Sequence, residues 1–141
     1  MIRDIPFQQI LVGSYRLHEE GAERALELAL RADSSGLWHS VRGARLAVSG
    51  DIHAESLASH SSVRGTVDLR KLSTRAGAYQ LEFDADDGRR FELVLQRSSG
   101  RRAPLFALSR FLGRLSVRGR EIGEAELRVD LRRTLRRWLV L

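Results

Sequence analysis

Apolar and polar residues alternate in two short runs between Gly77 and Gln96. Tyr79, Leu81 and Phe83 are separated by Gln80 and Glu82, and Phe91, Leu93 and Leu95 run alongside Glu92 and Gln96. A period of two gives each run one apolar face, so the pair reads as a half-buried β-hairpin. Loop length decides its register. A two-residue Asp87-Gly88 turn sets Phe83 against Glu92 and throws the apolar rows onto opposite faces. A three-residue Asp86-Asp87-Gly88 loop, with Gly88 in the left-handed position that glycine fills at least cost, sets Phe83 against Phe91. Leu81 then faces Leu93, Tyr79 faces Leu95 and Asp84 faces Arg90, with Glu82 against Glu92 as the unfavourable pair.

The same alternation recurs along the chain. Phe7 to Leu17 reads as a first strand, and Leu26, Leu28, Leu30 and Ala32 as a second running into the turn cluster Asp33-Ser34-Ser35-Gly36. Leu46, Val48, Ile52 and Ala54 give another around Gly50, and Val63, Val67 and Leu69 a further one. Asp51 to His60 has an alternative reading as a short helix capped by Asp51. Leu115 and Val117 begin a strand, Gly119 turns the chain, and Leu127, Val129 and Leu131 mark a longer strand from near Glu124. Arg97 to Ala103 reads as a polar loop. About eight strands at this spacing imply an all-β, mostly antiparallel domain, a lipocalin-like barrel or a sandwich, spanning 1–141 as one unit.

After Leu131 the period changes. Leu131, Leu135, Trp138 and Leu139 fall at helical spacing with Arg132, Arg133, Arg136 and Arg137 on the other side, which predicts a C-terminal helix over 131–141. Charge follows this division. The net charge of +6 combines −1 over residues 1–98 with +7 over 99–141, where there are 11 arginines. Arginine is also the default base of this chain, since Lys71 is its one lysine and asparagine is absent, a bias expected of a GC-rich bacterial genome.

Candidate chemistry is sparse. The absence of cysteine excludes disulfides, thiolate metal sites and a thiol nucleophile. His53 and Glu55 match the His-x-Glu half of a zinc deaminase motif, but its Pro-Cys-x-x-Cys half is missing. Asp84, Asp86 and Asp87 resemble a calcium loop, yet Gly88 falls fifth and Leu95 twelfth, so the hairpin turn is the better reading and no metal site is expected. No nucleophile elbow, phosphate-binding loop or dinucleotide fingerprint occurs, which leans against an enzyme and implies no cofactor. The N-terminal residues carry no secretion signal and no apolar run reaches the roughly 20 residues of a membrane span, so a soluble, cytoplasmic protein is expected. Nucleic acid is a poor partner, because Phe106, Phe111 and Trp138 near the arginines sit in apolar contexts and not as stacking platforms.

Three segments near the C-terminus carry a family resemblance: Ala103-Pro104-Leu105-Phe106-Ala107-Leu108, Leu112-Gly113-Arg114-Leu115, and Gly119 to Arg132. With Tyr79-Gln80-Leu81-Glu82-Phe83 and Asp87-Gly88-Arg89, these resemble a β-rich accessory region found with bacterial flavin-dependent GMC oxidoreductases of the cholesterol-oxidase type. The resemblance covers mainly 77–141. It implies an accessory module associated with lipid or sterol metabolism. The family's flavin-binding glycines and catalytic residues lie outside the resembling region, so no catalytic residue is carried over.

Two functions are expected from these features. The first is a non-catalytic binding or accessory module that holds an apolar small molecule or lipid in the barrel interior, lined by Tyr79, Leu81, Phe83, Phe91 and Leu93. The second is a protein-interaction module that docks an acidic partner, or another copy of itself, on Arg132, Arg133, Arg136 and Arg137.

Overall fold

A computed structural model describes residues 8–32, 45–68, 77–97, 110–130 and 132–133. Eight antiparallel strands follow one another around a closed barrel: β1 (Gln8–Leu17), β2 (Glu23–Ala32), β3 (Arg45–Ala54), β4 (Ala58–Asp68), β5 (Gly77–Asp84), β6 (Arg90–Arg97), β7 (Arg110–Val117) and β8 (Arg120–Val129). Each pairs with its sequence neighbour, and β8 returns to pair with β1 from Leu11↔Val129 to Leu17↔Gly123. Closure leaves no free sheet edge, which removes the unpaired backbone groups that promote association.

The period-two pattern becomes an inside and an outside. Leu26, Leu28 and Leu30 point inward from β2, Leu81 and Phe83 from β5, and Phe111 and Leu115 from β7, all buried. Burial of each such side chain contributes about 1.5–3 kcal/mol. Arg110, Arg114, Glu124 and Glu126 point outward from β7 and β8, where Arg110 meets Glu126 at 3.8 Å and Arg114 meets Glu121 at 3.7 Å. Among the described residues the interior is mostly apolar, with Gln9 as a buried polar side chain, and the wall is charged. Among the described residues no helix is long and apolar enough to cross a membrane.

The hairpin has the expected register, with Phe83↔Phe91, Leu81↔Leu93, Tyr79↔Leu95 and Asp84↔Arg90. Gly88 lies at φ +90, its amide donates to Ala85 O at 2.9 Å, and the Ala85 amide donates to Arg89 O at 2.8 Å, which closes the three-residue loop. The unfavourable Glu82↔Glu92 pair is relieved from the neighbouring strand, where Arg64 Nε donates to Glu82 Oε1 at 2.8 Å. Arg89 binds Asp87 through its amide at 3.0 Å and through Nε at 2.7 Å. The backbone bond, then the side-chain one, hold the Asp87 carboxyl below its ordinary range.

Several boundaries differ from the sequence reading. The alternative helix over Asp51 to His60 does not form: β3 runs through Ala54, residues 55–57 turn, and β4 begins at Ala58. Barrel pairing on both sides of this segment outweighs a local capping signal. Leu115 and Val117 end β7 rather than begin it, and β8 starts at Arg120, ahead of Glu124. The expected polar loop beyond Arg97 and most of the segment expected to form a C-terminal helix lie outside the described residues. Of the 131–141 segment only Arg132 and Arg133 are described, and the Arg133 amide donates to Asp130 Oδ1 at 3.1 Å.

Candidate functional site

The expected ligand-lining residues are brought together, inside the barrel. Tyr79, Phe91 and Leu93 are 0% exposed, and Leu81 and Phe83 are 3% exposed. They fill the space by packing on one another and on their neighbours. Phe83 and Phe91 stack at 5.5 Å, and Tyr79 meets Phe111 edge-on at 5.2 Å.

Both ends of this interior carry polar contacts that tie strands across it. At one end the β3–β4 turn folds over the mouth. The Tyr15 hydroxyl donates to Glu55 O, the Asp86 amide to Leu57 O at 2.9 Å, and the Ser59 amide to Asp86 Oδ1 at 2.9 Å. Leu57 and Ala85 are buried beneath these bonds. Toward the other end the Tyr79 hydroxyl donates to Gln9 Oε1 at 2.5 Å, joining β5 to β1. Burial raises the Tyr79 phenol far above the ordinary tyrosine range, an effect its bond to Gln9 only partly offsets.

The expected partner-binding arginines divide. Arg132 and Arg133 are exposed, at the point where the chain leaves β8, while Arg136 and Arg137 lie outside the described residues. Arg133 is already engaged, since its Nη1 forms an ion pair with Glu27 Oε1 on the outer wall of β2. That pair ties the start of the arginine-rich segment to the barrel.

Around Glu27 the wall holds a cluster that no linear motif announced. Glu27 is the register partner of His53, and Asp51 lies two residues earlier on the same face of β3. On β4 the register slips between Ile52↔Ser61 and Ala54↔Ala58, so Ser59 and His60 together face His53 in a β-bulge. His60 there adopts φ +51, a left-handed conformation uncommon for a residue with a Cβ but one histidine enters more readily than most. The bulge aims its ring over His53, with centroids 4.7 Å apart and planes 27° from parallel. His60 Nδ1 also lies 3.1 Å from Asp51 Oδ2. Together with Arg31 and Arg133 these residues line a depression of about 370 Å³.

This geometry does not suit a metal. Near-parallel imidazoles send their lone pairs side by side and not toward a common point, and among the described residues no group of three ligating side chains converges on one. His53 Nδ1 is buried with no hydrogen-bond partner. A buried polar atom left so costs about 1–3 kcal/mol.

A second concavity, about 820 Å³, crosses the outer wall from β6 to β1. Exposed Val94 and Leu112 lie in it, flanked by Arg114, Glu121 and Glu124. Comparison of the chain with family models, curated proteins and solved structures returns no match.

Proposed function

We propose that this protein is a non-catalytic binding module that docks an acidic protein partner, or another copy of itself, through the arginine-rich face that begins at Arg132. The observation that carries this reading is the contrast between a filled interior and a charged exterior. Tyr79, Leu81, Phe83, Phe91 and Leu93 occupy the space an internal ligand would need, whereas Arg132 stands exposed where the chain leaves the barrel. The +7 excess of residues 99–141 favours association with an acidic surface. The resemblance of 77–141 to an accessory region of flavin oxidoreductases supports an accessory role beside a separate enzyme.

A lipocalin-like role, with an apolar small molecule or lipid inside, is the second reading. It is favoured by the closed eight-stranded barrel and its apolar lining, an architecture that holds a single small ligand elsewhere. Here such a ligand enters only by displacing packed aromatic side chains.

Binding of a poly-L-glutamate probe tests the first reading. Wild-type protein is expected to bind it with an affinity that falls steeply with salt, and the Arg132→Ala, Arg133→Ala, Arg136→Ala, Arg137→Ala variant to lose most of that binding. Equal affinity and salt dependence in the two proteins would overturn it.

A further inference from the structure

We infer that the outer wall of β1 and β2 around Ile10 is the seat of the chain's own C-terminal segment, residues 131–141, which Leu135, Trp138 and Leu139 fasten to the barrel. Ile10 is the observation that carries this. Its neighbours Gln9 and Leu11 point into the barrel, Gln9 to bond Tyr79 across the interior and Leu11 as part of the core, so alternation turns Ile10 outward. Yet Ile10 is 2% exposed, whereas Val94 and Leu112, aliphatic residues elsewhere on the outer wall, are 36% and 44% exposed. Its register partner is Ala29, too small to cover it, and Val12, next on that face of β1, is half-buried as well. Ile10, Val12 and Ala29 are thus an apolar patch on a charged wall, and the chain itself covers it.

The described part of the C-terminus leads to this patch. Leu11 pairs with Val129, so Asp130 comes level with Ile10, and its amide donates to Ile10 O at 2.8 Å. Three residues on, the Arg133 guanidinium contacts the Glu27 carboxylate, which faces outward from β2 two residues before Ala29. The chain therefore heads from the end of β8 over β1 toward β2. What continues from Arg133 has the composition to cover the patch, since Leu131, Leu135, Trp138 and Leu139 fall at helical spacing with Arg132, Arg136 and Arg137 between them. Laying that row on Ile10, Val12 and Ala29 removes apolar surface from water on both sides of the contact. It also turns Arg132, Arg136 and Arg137 away from the barrel. On the docking reading proposed above, an acidic partner then meets a fixed basic patch on the wall of β1 and β2. The seat itself does not depend on that reading.

Tryptophan reports on the seat, because Trp38 and Trp138 are the two in the chain. In a Trp38→Phe background of the full chain, Trp138 is expected to resist acrylamide quenching, equally at low and high protein concentration. Ile10→Asp places a charge in the patch without entering the barrel core. It should raise the quenching constant severalfold, to that of free N-acetyltryptophanamide, with the far-UV circular dichroism of the barrel unchanged. Ala29→Asp makes the same test from β2 should Ile10→Asp fail to fold, and Leu112→Asp, on β7, should leave Trp138 protected. Trp138 as accessible as the free amide in the parent, or protection undiminished in folded Ile10→Asp and Ala29→Asp, would overturn the seat. Protection lost on dilution would overturn it too, since a second copy would then be the cover. Poly-L-glutamate binding by the parent separates the two levels. If Trp138 is released by Ile10→Asp but the parent binds no probe, the seat stands and the docking reading falls.

Discussion

The hydroxyl of Tyr79 donates to the side-chain oxygen of Gln9 at 2.5 Å, a bond between strands β5 and β1 that joins residues 70 positions apart. Both residues are buried, and each would be costly there without the other. Tyr79→Phe removes the donor and leaves the Gln9 oxygen unsatisfied, so it should lower stability by about 1–3 kcal/mol in urea denaturation. Adding Gln9→Leu removes the orphaned group and should restore part of the loss. A double variant less stable than the sum of the two singles would show that the bond is not what pairs these residues.

The same burial gives the barrel an alkaline limit. Tyr79 is held above the ordinary tyrosine range when folded, mainly by desolvation, and Tyr15 is shifted the same way. An acid whose folded value is raised binds its proton more tightly in the native state. Its contribution is complete below the unfolded value of about 10 and is lost as pH rises beyond it. Stability should therefore fall from about pH 10 upward, by as much as about 1.4 kcal/mol per pH unit for Tyr79. Tyr79→Phe should flatten that slope. An unchanged slope in the variant would contradict the assignment.

Two glycines separate close backbone approach from backbone conformation. A Cβ at Gly65, in β4, would fall on the carbonyl oxygen of Gln80 in the adjoining strand, and that oxygen belongs to backbone that cannot turn aside. Gly88 sits at φ +90 with open space where its Cβ would be. Gly65→Ala should cost more than about 3 kcal/mol, and Gly88→Ala about 1 kcal/mol. Comparable thermal shifts for the two would refute this account of β4.

The hairpin was legible because its register depends on two local facts, the alternation of Tyr79 to Phe83 and the φ that Gly88 must take. The other strands were legible in kind, since their leucines and valines keep a period of two, but their ends were not. Phe111, near the start of β7, packs against Tyr79, a contact between distant segments that leaves no trace in local pattern. The wall cluster was half visible. Asp51 and His53 share a face by alternation alone, but Glu27 joins them through the β2–β3 register and His60 through a bulge. Neither can be read from one strand. Arg133 stood out as one of four basic residues, while the carboxylate that holds it did not.

Native mass spectrometry of the protein purified from its own host bears most directly on the claim that the interior is filled and binding is external. The account predicts that the chain carries no stoichiometric apolar small molecule, and that any protein partner retained at low salt is released as salt is raised. A lipid or sterol held one per chain, surviving high salt and lost on Phe83→Ala or Phe91→Ala, would contradict it.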